Sequence, residues 1–220
     1  MAIGGYATAA DLPQVIPVFP LDGALLLPHG ALPLNIFEPR YLNMIDDAMS
    51  GERMIGMLST LAGSDASRPS LARIGCAGRI TSYAETSDGR YLITLTGLCR
   101  FRVAAELPTP SPYRQVRADY GPYAGDLHDR PEVDEEDRLS VLMALKAFLE
   151  RRGLAVDWRM AEDAPIESLV NSLSMALPFD PAEKQALLEA VNVIDRRKAL
   201  VALMRIDAEY GEDDDPPSLQ

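Results

Sequence analysis

The stretch Val18–Arg40 reads "VFPLDGALLLPHGALPLNIFEPR", and it is at once apolar and broken by proline. Pro20, Pro28, Pro33 and Pro39 fall inside it, and Pro17 lies just upstream. Its leucines and alanines belong in a core. Each proline removes a backbone donor and fixes φ, so neither a long helix nor an uninterrupted central strand fits. The chain must open with short extended pieces. Pro39 suits the first turn of a helix, where a missing N–H leaves nothing unpaired.

The first half carries further strand signals. "VIPVF" (15–19), "ALLL" (24–27) and "RMIGMLS" (53–59) are short apolar runs bounded by Pro, Asp and Gly. "CAGRITSYAETSDGRYLITLTGLCRFRV" (76–103) reads as a hairpin, its arms rich in Thr, Tyr and Ile. Asp88-Gly89 supplies the positive φ of its turn. "RQVRADY" (114–120) completes the set after the bend "LPTPSPY" (107–113). One helix interrupts them at 38–51. Tyr41, Leu42, Ile45, Ala48 and Met49 give it one apolar face, and Gly51 is placed for a left-handed cap.

After residue 137 the apolar period changes from two to three or four. "DRLSVLMALKAFLERR" (137–152), "IESLVNSLSMAL" (166–177), "DPAEKQALLEA" (180–190) and "DRRKALVALMRIDAEY" (195–210) read as helices. The third has Asp180 at its cap, Pro181 in its first turn and Glu183 three residues on, the pattern of a capping box. Strands followed by helices make an α+β chain. The expected layout is a flexible lead (1–13), a β-rich part (14–122), an acidic linker (123–137), a helical part (138–210) and an acidic tail (211–220).

Charge excludes some functions. The chain of 220 residues carries a formal net charge of −12. Residues 1–120 hold 10 Lys/Arg and 11 Asp/Glu, and the remainder hold 11 and 22. Such a balance offers no basic field for nucleic acid or for an anionic membrane surface. The acidic runs "EVDEED" (132–137) and "EDDD" (212–215) read as solvated linker and tail. No apolar run approaches the ~20 residues that span a bilayer, and the first residues lack the pattern of a secretory signal, so the expected location is cytoplasmic. Cys76 and Cys99 read as free buried thiols, and with His29 and His128 they show no spacing for zinc. No cofactor or metal is expected.

No catalytic constellation emerges either. The three lysines, Lys146, Lys184 and Lys198, follow no glycine-rich loop, and no Rossmann or GxSxG motif occurs. Ser168, Ser172 and Ser174 with Lys184 read as helix surface and packing rather than as a Ser-Lys pair. His29, between a proline and a glycine, reads as an exposed loop residue, and Asp46-Asp47 as a solvated helix face. Trp158, Tyr113, Tyr120 and Tyr123 are of the residue types that anchor bound peptides, though such aromatics more often pack a core.

Together these segments resemble the N-terminal domain of the Lon proteases. The opening matches through Pro17–Leu21, Pro28–Leu34 and the helix Glu38–Met49. "ARIGCAGRI" matches through Gly75, Gly78 and Ile80, and "LTGLCRFRV" through Gly97, Arg100, Phe101 and Val103. "FDPAEKQALLEAVNVIDRRKALVALM" resembles the helical part, and the likeness runs over about residues 14–208. The resemblance implies a PUA-like β-barrel or sheet domain with one inserted helix, followed by a helical bundle and linked to substrate recognition. Lon proteases add an ATPase module and a Ser-Lys protease domain, for which this sequence has neither a P-loop nor the length. The expectation is a stand-alone, non-catalytic module that binds a polypeptide or protein partner. Pro28, His29, Leu32 and Pro33 in the proline-bounded loop, with Tyr113, are its candidate contacts. The alternatives are a small-ligand or RNA-binding PUA-like protein and a regulator of full-length Lon.

Overall fold

The structure, a computed structural model, describes residues 6–61, 69–128 and 135–210. The tail 211–220 and residues 132–134 of the acidic run lie outside the described residues. The strands are β1 (Val15–Pro20), β2 (Ala31–Ile36), β3 (Met54–Leu58), β4 (Ile74–Glu85), β5 (Tyr91–Leu107) and β6 (Arg114–Asp119). The helices are α1 (Pro39–Met49), α2 (Glu135–Arg152), α3 (Trp158–Asp163), α4 (Ile166–Ala176), α5 (Pro181–Glu189) and α6 (Val193–Tyr210). The class is α+β, as the change of period implies.

The strands form one sheet in the order β2-β5-β4-β3-β1-β6. β1 and β3 pair in parallel, and the other pairs are antiparallel. β6 also pairs with the far end of β5, from Arg102↔Asp119 to Leu107↔Gln115, so the sheet curls back toward its own middle. Register shifts at Ala77/Gly78, Ile80/Ser82 and Val103/Ala105 supply local bends of the kind that bulges introduce. β2 bonds to β5 alone, and Pro33 stands at its centre. An edge strand is where a sheet tolerates a residue without an N–H.

Ile16, Val18, Leu58, Leu98, Phe101 and Val116 pack together in the main core, with Cys99 among them. Neither cysteine forms a disulfide, and both are buried. "SDG" turns the β4–β5 hairpin as expected, with Gly89 at φ 79. The capping box forms too: Asp180 N–H donates to Glu183 Oε2 at 2.9 Å, and Glu183 N–H donates to Asp180 Oδ1 at 2.8 Å.

Several local readings are corrected. Residues 24–27 are not a strand but an irregular, largely buried segment, and β2 begins only after it, at Ala31. Gly97 explains why. A Cβ there would lie 2.0 Å from the Leu27 carbonyl oxygen, so the segment runs hard against β5 instead of pairing in register. Gly51 does not take the left-handed conformation; Arg53 does, at φ 58, and its N–H donates to the Ala48 carbonyl at 2.9 Å. The Asp46-Asp47 face is not merely solvated, because each carboxylate accepts a tyrosine hydroxyl, from Tyr91 at 2.9 Å and Tyr113 at 2.6 Å. α3 is an additional helix, started by Asp157, whose carboxylate accepts from the N–H groups of Arg159 and Met160.

The chain forms two compact units. Met1–Pro131 and Asn171–Glu189 make the first; Glu132–Val170 and Ala190–Gln220 make the second. The cut therefore falls inside α4, and α5 counts with the sheet rather than with a separate helical part. Arg100 in β5 accounts for part of this. Its side chain is 1% exposed, with Nε 2.8 Å from Asp126 Oδ2 and Nη2 2.9 Å from Oδ1. Nη1 donates to the Leu188 carbonyl at 3.0 Å, one of the unpaired carbonyls at the end of α5. Tyr123 lies under the guanidinium at 4.4 Å. Burial works against the Arg100 cation, and the hydrogen bonds and charge of Asp126 outweigh it and raise its pKa.

Candidate functional site

The second unit holds an open apolar groove of about 520 Å³. α2 supplies one wall. Leu139, Leu142, Met143, Lys146 and Leu149 recur at three and four residues, the period of one helical face. Leu154 and Trp158 close the other side. The turn between the walls is built locally. Gly153 ends α2 at φ 61, and Leu154 N–H reaches back to the Leu149 carbonyl at 3.0 Å. That bond and the left-handed glycine make a Schellman motif, which brings Leu154 over the last turn of α2. Asp157 then starts α3 and sets Trp158 at its first position.

Such a groove can hold apolar side chains. Leu139 is 59% exposed, Met143 64%, Leu154 47% and Trp158 38%, so all four are wetted together. A cluster of this kind differs from the scattered exposed leucines of an ordinary surface. Lys146 and Glu150 also line it and form an i,i+4 ion pair at 3.8 Å.

The residues singled out in the sequence are placed as follows. Pro28 is buried, and its carbonyl accepts from Asn171 Nδ2 at 2.9 Å. His29 is exposed at φ 63, its N–H donating to the Gly97 carbonyl at 3.0 Å. Leu32 is half-buried and Pro33 exposed, both on β2. Tyr113 is buried, and burial together with its bond to Asp47 raises its pKa. Tyr113 lines a different recess of the first unit, about 840 Å³, with Tyr41, Arg40 and Arg114. None of the four loop residues lines that recess. Its charged groups are already engaged: Arg114 pairs with Glu106 at 2.6 Å, and Asp22 accepts from Thr60 N–H at 2.8 Å. Tyr120 is buried and Tyr123 half-buried, Tyr123 beneath Arg100.

Of the sequence candidates, Trp158 alone faces the groove. The apolar period of Leu139 and Met143 matches that of a core face, and Leu154 lies past the end of the helix expected over 137–152. A groove wall and a core face share one pattern, and the exposure is visible only in three dimensions. Lys184 donates to the Gly23 carbonyl at 2.7 Å, and burial lowers its pKa. Among the described residues, no group of three or more His, Cys, Asp and Glu is placed to hold a metal ion, and no helix is long and apolar enough to cross a membrane.

The fold and the groove define a class: a curled mixed sheet with its own helices, joined to a helical unit that exposes apolar side chains. Solved structures share the fold. The crystal structure of a Lon N-terminal domain protein from Xanthomonas campestris superposes with a TM-score of 0.64 at 22% identity, covering 86% of this chain and 98% of that one. The N-terminal domain of Mycobacterium avium complex Lon protease gives 0.62 at 18%, covering 87% and 98%. The chain belongs to the family described as the ATP-dependent protease La (LON) substrate-binding domain, whose model matches residues 15–205. Lon protease 2 of Myxococcus xanthus is 28% identical over 93% of this chain and 25% of its own length. Lon protease of Anaeromyxobacter dehalogenans is 27% identical over 88% and 23%. The chain thus spans about a quarter of the length of these curated relatives.

Proposed function

We propose that this chain is a non-catalytic polypeptide-binding module of the cytoplasm, which captures unfolded or partner protein through the apolar groove of its helical unit. The observation that carries the reading is the joint exposure of Leu139, Met143, Leu154 and Trp158 along one groove. The description of the matched family as a substrate-binding domain supports it. The PUA-like character expected of the sheet belongs to the same proposal. Of the loop contacts read from the sequence, His29, Leu32 and Pro33 enter it as a second contact. Pro28 enters as a buried support of that loop, and Tyr113 enters separately, as a buried wall of the recess it shares with Tyr41 and Arg114.

The magnitudes favour transient capture. A fully buried large apolar side chain is worth about 1.5–3 kcal/mol. Each of the four is already partly covered, so occupancy adds roughly 1 kcal/mol apiece, or about 4 kcal/mol in all. Association costs at least a comparable amount. The gain alone corresponds to a Kd of about 1 mM and the cost weakens it, so a segment held by the groove alone binds no tighter than about 1 mM. Trp158 is the chain's single tryptophan, so its emission reports on the groove. A tryptophan-free unfolded polypeptide rich in Leu and Phe should shift that emission to the blue, with saturation. Met143→Glu should weaken binding at least tenfold, and Leu32→Asp should weaken it less. An emission that never shifts would remove the groove as the site.

A further inference from the structure

A second recess of the helical unit, about 400 Å³, lies between α2 and α6. Asp137 and Ser140 of α2 line it, with Arg197, Lys198 and Arg205 of α6. Ion pairs Arg197–Asp137 and Arg152–Asp207 join these helices near their starts and near their ends, so the two run parallel. Among its described lining residues, three cations thus stand with one carboxylate. Arg197 is only 9% exposed and spends Nη1 on Asp137. Its Nε is buried with no hydrogen-bond partner among the described residues. Lys198 and Arg205 are exposed and pair with no described residue. On an acidic chain, cations more often find acids nearby, and like charges lining one recess repel. An anionic occupant would relieve both costs.

The chemistry of the recess sets the size of that anion. The net charge of −12 repels an extended polyanion such as RNA. Distant acids are screened beyond about 8 Å in physiological salt, so the local cations dominate at contact. Lysine gives a point charge, arginine a planar fork and Ser140 a hydroxyl donor, a set that matches phosphate oxygens. We infer that this recess binds a phosphate group, either free phosphate or the phosphoryl group of a modified side chain on another polypeptide. The site is independent of the apolar groove.

Calorimetry on the full chain tests it, at fixed ionic strength, with inorganic phosphate, a phosphoserine peptide and the same peptide unphosphorylated. Phosphate and the phosphopeptide should bind saturably, and the unphosphorylated peptide should not. Lys198→Gln with Arg205→Gln alters only exposed side chains. The pair should weaken phosphate binding at least tenfold and leave the Tm unchanged. Asp137→Asn should strengthen it by removing the competing carboxylate. Equal affinity for phosphate and phosphopeptide would mark the free anion as the occupant; tighter phosphopeptide binding would mark the modified polypeptide. Absence of saturable phosphate binding, or a double variant that binds like the parent, would overturn the inference.

Discussion

Replacing Arg100 by methionine tests what holds the sheet, the 121–127 segment and α5 together. The substitution keeps length and apolar bulk. It removes a guanidinium that is 1% exposed and bonded to both Asp126 carboxylate oxygens and to the Leu188 carbonyl. Asp126 would stay buried with its compensating charge gone, and breaking a buried pair in this way costs about 3–5 kcal/mol. The free Leu188 carbonyl acts in the same direction. For a chain of this size each kcal/mol moves Tm by about 2–4 °C, so Tm should fall by roughly 6–20 °C. Urea unfolding followed by circular dichroism measures the loss. Adding Asp126→Leu should return part of it, since losing both charges is milder than losing one. A loss below about 1 kcal/mol for Arg100→Met alone would refute the reasoning.

Two other consequences concern the same unit. Burial, with the negative charge of Asp126 adding to it, pushes the Cys99 thiol from 9.0 up to about 12. Folding thus favours the protonated thiol; its stabilising contribution is complete below pH 9 and fades as pH rises toward 12. At pH 8 a thiol reagent should label neither Cys76 nor Cys99 until denaturant is added, and rapid labelling of the native chain would contradict their burial. Gly97→Ala places a methyl group 2.0 Å from the Leu27 carbonyl oxygen, a backbone atom that cannot step aside. The expected cost is about 1–3 kcal/mol, read as a lowered Tm, and an unchanged Tm would show that the 24–30 segment is not pinned to β5.

Much of the fold was legible where local chemistry acts alone. Pro39 opens α1, Asp180 and Glu183 cap α5, and Gly89 turns the long hairpin, each within a few residues of its partner. What sequence hid depends on distant contacts. "ALLL" carries strand-like residues, yet the close approach at Gly97 leaves it irregular. Asp46 and Asp47 look like surface acids until Tyr91 of β5 and Tyr113, in the bend before β6, reach them. Arg100 sits in a run buried on both faces, a signal that it must have a partner, but nothing local names Asp126 or Leu188. The groove was the least legible feature, because α3 is short and the α2 face that lines it repeats like core.

The proposal that the helical unit captures polypeptide rests on whether its groove is filled. The most direct measurement is the emission of Trp158 during titration with a tryptophan-free unfolded polypeptide, on the parent chain and on Met143→Glu. The account predicts a saturable blue shift at millimolar polypeptide, and a curve displaced at least tenfold by the glutamate. A polypeptide that binds the chain without moving Trp158 emission, or that binds Met143→Glu as well as the parent, would contradict it.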